Sequence, residues 1–171
     1  MDNFKEKILQ ITGSPCWGIV ACDGNPLSLH FGKKILRVRT IKNEHLTHEE
    51  QKYEGEYGLF IKCAWRLDAE DKVLCGALSE HHEMFEELES LRGQIVRRVK
   101  LDFPAYDLHI NFKSGHTLHI FCNIMEDEEY SNYTFFLRRI GWFSVDQTHS
   151  VSWENEEQQT VVEKKNYDPE R

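Results

Sequence analysis

The sequence is short of most of the features that announce a function. No stretch approaches the roughly 20 consecutive apolar residues of a membrane helix, so no bilayer-crossing helix is expected. The opening Met1-Asp-Asn-Phe-Lys-Glu-Lys carries no apolar signal core, and the expectation is a cytoplasmic protein. The P-loop pattern, the dinucleotide glycine pattern, the Gly-x-Ser-x-Gly elbow and the His-Glu-x-x-His pair are all missing. So is a calcium loop of alternating Asp and Asn with its Gly. There is no Cys-x-x-Cys, and the five cysteines, an odd number without paired spacing, read as reduced thiols. Positive charge is scarce as well: 21 Lys and Arg stand against 29 Asp and Glu, a formal net charge of −8. A nucleic-acid backbone needs a basic face, so nucleic acid is not an expected partner, whereas a basic protein is.

What is present is alternation. The 171 residues are 40% hydrophobic and 29% charged, as suits a soluble globular chain with one full core or two small ones. Leu108, Ile110 and Phe112 alternate with His109 and Asn111, the period of a half-buried strand. Lys113-Ser114-Gly115 is a hairpin turn, and Leu118, Ile120 and Cys122 resume the alternation beyond it. With Ile95 to Val99 before them, these segments read as a three-stranded meander. A weaker copy lies upstream. Leu27 to Gly32 sits where Leu108 to Phe112 sits, Leu36-Arg-Val repeats Leu118-His-Ile, Trp17-Gly-Ile-Val stands in for Ile95 to Val99, and Tyr57 to Ile61 lines up with Tyr133 to Leu137. Each half then runs on to a Trp, Trp65 or Trp142.

The remaining segments follow from local signals. Phe4, Ile8 and Ile11 share one face of a short N-terminal helix ending at Thr12-Gly13. Lys33 to Thr40 forms the second arm of a hairpin about Gly32, and Lys42 to Gly55 is a polar loop with one helical turn at most. Tyr57 to Leu67 is a single, nearly all-apolar strand. Ser79 to Leu91 is the clearest helix, capped by Ser79, with Met84, Leu88 and Leu91 along its apolar stripe and Gly93 at its end. The fold class is therefore α+β, mainly antiparallel β, with two related β-rich halves (an internal duplication) joined by a helix. Residues 1–78 form the first half with the N-terminal helix, 79–92 the linking helix, 93–153 the second half and 154–171 a polar, flexible tail.

Candidate chemistry is sparse. His109 and His119 lie equally far from Ser114, so they face each other across the hairpin; with His116 they form a conceivable metal site. A solvated cross-strand histidine pair is the simpler account, and no cofactor is expected. Cys63 and Cys122 fall in strands, where Cys packs as a small hydrophobe. Two carboxylate clusters stand out: Asp68, Glu70 and Asp71, and Glu126, Asp127, Glu128 and Glu129 with Tyr130 beside them. Both read as solvated loops or, more sharply, as an acidic and aromatic surface for a basic partner.

Trp17-Gly-Ile-Val, Leu27 to Gly32, Tyr57 to Leu67 (with Cys63-Ala-Trp-Arg) and Leu108 to Cys122 together resemble small acidic cytosolic bacterial proteins, among them immunity proteins of the kind that neutralise toxins by binding them. That resemblance implies a non-catalytic protein-binding module with a basic toxin as its partner. The alternative is a metal-dependent enzyme or small-ligand-binding protein using the face of His109, His116 and His119.

Overall fold

Alternating apolar residues build the strands, and their apolar sides meet on one core. A computed structural model describes residues 2–21, 26–126 and 130–156. Helix α1 (Asp2–Ile8) and a 3-10 turn (Leu9–Ile11) open the chain. Strands β1 (Pro15–Ala21) and β2 (Leu27–Leu36), a short helix α2 (His48–Lys52), and strands β3 (Tyr53–Ile61), β4 (Ala64–Asp68) and β5 (Val73–Gly76) follow. Helix α3 (His81–Glu89) leads into β6 (Gln94–Asp102), β7 (Asp107–Phe112), β8 (Thr117–Phe121), β9 (Tyr133–Leu137), β10 (Gly141–Val145) and β11 (Val151–Asn155).

The strands form one 11-stranded sheet in the order β11-β10-β9-β3-β2-β1-β6-β7-β8-β4-β5, with every pairing antiparallel. The protein is thus mostly antiparallel β with a few short helices. The sheet curls. Tyr133 on β9 donates its hydroxyl to the Tyr106 carbonyl in the β6–β7 turn at 2.9 Å, and Phe4 of α1 touches the rings of Tyr106, Tyr133 and Phe143. Among the described residues no helix is long and apolar enough to cross a membrane.

The order is balanced about the central β1–β6 pair. Outward on one side run β1, β2, β3, β9 and β10, with β11 beyond them at the edge; on the other run β6, β7, β8, β4 and β5. The hairpin β4–β5 therefore packs on the later meander, and β9–β10 on the earlier one. Matching registers run through both sides. Cys16 faces Phe31 and Ile19 faces Leu29, while Val96 faces Phe112 and Val99 faces Ile110, with a bulge between Cys16 and Gly18 and another between Val96 and Arg98. Each central strand follows a buried apolar triplet, Phe4-Ile8-Ile11 or Met84-Leu88-Leu91, and a glycine at positive φ, Gly13 (+84°) or Gly93 (+81°). The two glycine N–H groups cross over: Gly13 donates to the Val96 carbonyl at 2.8 Å, Gly93 to that of Cys16 at 2.6 Å.

Four local expectations need correction. The helix begins at His81, not Ser79, because the Ser79 hydroxyl accepts the Gly76 N–H at 2.9 Å in the preceding turn. The segment from Tyr57 to Leu67 is two strands, not one: the N–H groups of Lys62 and Cys63 both donate to the Asn132 carbonyl (2.9 and 3.1 Å), so the chain leaves β3 and β4 joins β8. Gly32 is a bulge inside a continuous β2 rather than a hairpin tip, so Leu36 ends that strand; the residues opposite Leu27 and Leu29 are Ile61 and Leu59. Tyr133, beside β3, takes the place that Trp65 takes beside β8, not that of Tyr57: Trp65 pairs with Ile120, and Tyr133 with Ile61.

Candidate functional site

Because strand side chains alternate, the sheet has an inner face that builds the core and an outer face. On β6, β7, β8 and β4 the inner residues include Val96, Val99, Leu108, Ile110, Leu118, Ile120, Trp65 and Leu67, all buried. The outer positions carry almost every chemistry-bearing group of this region. Four of them form a row across the strands. Asp102 Oδ2 lies 3.1 Å from His109 Nε2, His109 Nδ1 lies 2.7 Å from His119 Nδ1, and His119 Nε2 lies 3.1 Å from Asp68 Oδ2.

Each Nε2 faces a carboxylate to which an N–H can donate, and a hydrogen on either Nδ1 would join the two rings; which ring nitrogen donates follows from the tautomer. Burial lowers the His119 pKa, Asp68 works against that, and His109 and Arg66 reinforce it. The hydrogen bond from Lys100 holds the Asp102 carboxyl below its ordinary value. Arg66 grips Asp68 through Nε and Nη2 (2.8 and 2.9 Å) and lies over the ring of Phe121, which stacks on His119.

Beside this row, one step along the strands, Asn111 donates to the Thr117 hydroxyl at 2.8 Å. There a polar groove of about 570 Å³ opens, lined by Arg97, Arg98, Asn111, Lys113, His116 and Thr117, with Glu70 on its wall. His116 is held between Ser114 (2.8 Å) and Ser90 (3.4 Å) in the hairpin region. The structure thus unites His109 with His119 and places His116 apart from them. Every nitrogen of the pair is already engaged. Among the described residues no group of three or more His, Cys, Asp or Glu side chains is arranged to hold a metal ion.

The acidic candidates separate. Asp68 is half-buried and committed to Arg66 and His119; Glu70 and Asp71 are exposed in the β4–β5 turn. Glu126 and Tyr130 are exposed, with the Lys62 ammonium 5.2 Å from the Tyr130 ring, and Asp127, Glu128 and Glu129 lie outside the described residues. Asp68 pairs with Thr117 at one end of the β4–β8 ladder, while the chain reaches Glu126 from Phe121 at the other. The thiols are poorly placed for nucleophilic work: burial pushes Cys16 up to about 12 and Cys75 up to about 11, and contact with Cys63 raises Cys122.

No family model, no curated protein and no solved structure matches this chain. The molecule supplies its own comparison. At the ladder step where one side carries His109, His119 and Arg66, the other carries Ser28, Phe60 and Thr134. The β1 bulge is covered, because Trp17 stacks on His30 and Glu50 of α2 accepts the Ile19 N–H at 2.9 Å. The β6 bulge carries exposed Arg97 and Arg98 instead. Asp102, Arg66 and these two arginines were not singled out from the sequence. The one available signal was Arg97-Arg98 itself, two consecutive polar residues between Val96 and Val99, where a regular strand would alternate.

Proposed function

We propose that this chain is a non-catalytic protein-binding module, of the kind that acts by occupying its partner as immunity proteins occupy toxins. The observation that carries this reading is the contrast between the two outer faces. On one, α2, Trp17 and His30 cover the β1 bulge. The other leaves Arg66, Arg97, Arg98 and Lys100 exposed around a histidine pair that the fold replaces elsewhere with Ser28 and Phe60. Groups that folding does not require, on a face that folding does not cover, are what a recognition surface consists of. Histidine nitrogens already engaged by neighbours, and buried thiols, support binding over turnover. Glu70 and Asp71, and separately Glu126 to Glu129 with Tyr130, are two further, acidic parts of that surface, suited to a basic partner. Four buried free thiols, Cys16, Cys63, Cys75 and Cys122, suit a reducing cytoplasm.

The matching registers, matching bulges and crossed glycine bonds support a duplication in which two copies of one helix-and-five-strand unit exchanged their last hairpins. The experiment for function is affinity capture from the native host at low and high salt, with mass spectrometry of what is retained. One stoichiometric protein partner supports the module. A purified chain that carries a stoichiometric small molecule and no protein partner would decide for the alternative, a small-ligand binder on the same face, which the 570 Å³ groove favours.

A further inference from the structure

Within the binding-module reading, on which this inference rests, we propose that the groove of Arg97, Arg98, Asn111, Lys113, His116 and Thr117 is a carboxylate-binding site that takes an acidic side chain of the protein partner. Three observations lead there. First, the groove holds three cations, Arg97, Arg98 and Lys113, against one carboxylate, Glu70, on a chain whose net charge is −8. No ion pair among the described residues neutralises any of the three cations, whereas Arg66, Arg92 and Lys100 are each paired. Like charges gathered without counter-charge repel one another, and a bound anion relieves that repulsion.

Second, the bulge in β6 brings Arg97 and Arg98 out on consecutive residues, where an unbroken strand would turn one of them inward. The two forks thus stand together beside the amide of Asn111 and the hydroxyl of Thr117. Guanidinium forks match the two oxygens of a carboxylate.

Third, the molecule shows what suits the matching bulge. In β1 the visitor is a carboxylate: Glu50 accepts the Ile19 N–H at 2.9 Å and an Arg92 Nη1–H at 3.1 Å. It arrives on the long β2–β3 connection that carries α2. The β7–β8 connection is only the tight turn from Lys113 to His116, so no internal acid is delivered to the β6 bulge by the corresponding route. The register makes Val99 the counterpart of Ile19.

The test is a titration of isotope-labelled full-length protein, followed through its backbone amides by NMR. The probes are a blocked tetraglutamate peptide, the matching tetralysine peptide and inorganic phosphate. The expected result is a saturable shift of Arg97 to Val99 and Asn111 to Thr117 with tetraglutamate, and no such shift with tetralysine. Arg98→Gln with Lys113→Gln, both at exposed positions, should weaken the tetraglutamate affinity at least tenfold while the remaining amides keep their places. Shifts scattered over the surface, shifts at the groove that survive the double substitution, or tighter binding of phosphate at these amides would each overturn the assignment. Host capture with the same double variant separates the two levels of the argument. A partner retained undiminished sinks the groove and leaves the module; no partner for either protein sinks the module, while the titration still decides whether the groove takes a carboxylate.

Discussion

His30 shows how one residue can set the pH response of the molecule. It is 5% exposed, its ring stacks on Trp17, and its Nδ1 accepts the Gly55 N–H at 3.2 Å, which fixes it as the neutral tautomer. Burial, with Arg138 and Arg37 nearby, lowers its pKa from 6.5 to about 4. The unfolded chain takes up the proton below about 6.5, but the folded one does not until about 4, so between these values the unfolded state binds more protons and stability falls as pH falls. At about 1.4 kcal/mol per pH unit, acidification from pH 6.5 to 4.5 should cost on the order of 2–3 kcal/mol. Urea unfolding at several pH values checks this. His30→Gln, which keeps an acceptor for Gly55, should remove most of the slope, and an undiminished slope would exonerate the ring. Glu50 is the other buried titrating group of this region. Burial alone would raise its carboxyl, yet the N–H groups of Ile19 and Thr47, the Thr47 hydroxyl and Arg92 hold it below the ordinary range. Glu50→Gln should therefore cost about 2 kcal/mol in the same assay. Glu49→Gln, which removes only the exposed pair with Lys34, should cost at most about 0.5 kcal/mol. Equal costs would mean that the carboxylate in the bulge is not a stabilising element.

At the scale of elements, the ladder step of His109, His119 and Arg66 can be exchanged for its counterpart. His109→Ser with His119→Phe installs the residue types of Ser28 and Phe60. Asp68 keeps Arg66 and Asp102 keeps Lys100, so neither carboxylate is stranded. Thermal or urea unfolding should place the double variant within about 1 kcal/mol of the parent; a loss above about 3 kcal/mol would make the histidine row a structural requirement and weaken its claim to recognition. Elements of this kind were readable wherever alternation was clean. Leu108 to Phe112 and Leu118 to Ile120 could be drawn as strands, with His109 facing His119, because a tight turn fixes register over a short distance. Tyr57 to Leu67 could not be divided, because what breaks it is the Asn132 carbonyl, far away in sequence. Ser79 made a plausible cap, yet the turn at Gly76 claimed its hydroxyl. Glu50 read as one more acidic loop residue, although Thr47 lies at capping-box spacing before it; its burial depends on a bulge in β1 reached over 31 residues. Local patterns reported the strands, and non-local pairing decided which polar groups became a site.

For the whole molecule, the strand order makes a claim about folding that neither meander makes by itself. Hairpin β4–β5, from the first part of the chain, completes the sheet beside β8, and β9–β10, from the last part, completes it beside β3. Cutting between Leu78 and Ser79 would leave each piece with a hairpin that has lost its neighbour and a meander with an uncovered edge. The inner faces would suffer as well: Trp65 and Leu67 of one piece pack with Ile120 and Leu118 of the other, and Tyr133 and Phe135 with Ile61 and Leu59. Burying an aliphatic or aromatic side chain contributes about 1.5–3 kcal/mol, so losing several such contacts exceeds the 5–15 kcal/mol by which a domain of this size is stable. Fragments 1–78 and 79–171 should each show no cooperative thermal transition alone, and the two mixed or co-expressed should recover one transition near that of the intact chain. A fragment that melts sharply by itself would show that the exchanged hairpins are an embellishment and that each meander can close its own core. In that case the proposed binding face on β6, β7 and β8 should also be sought in the isolated second fragment, without β4 and its Arg66 and Asp68.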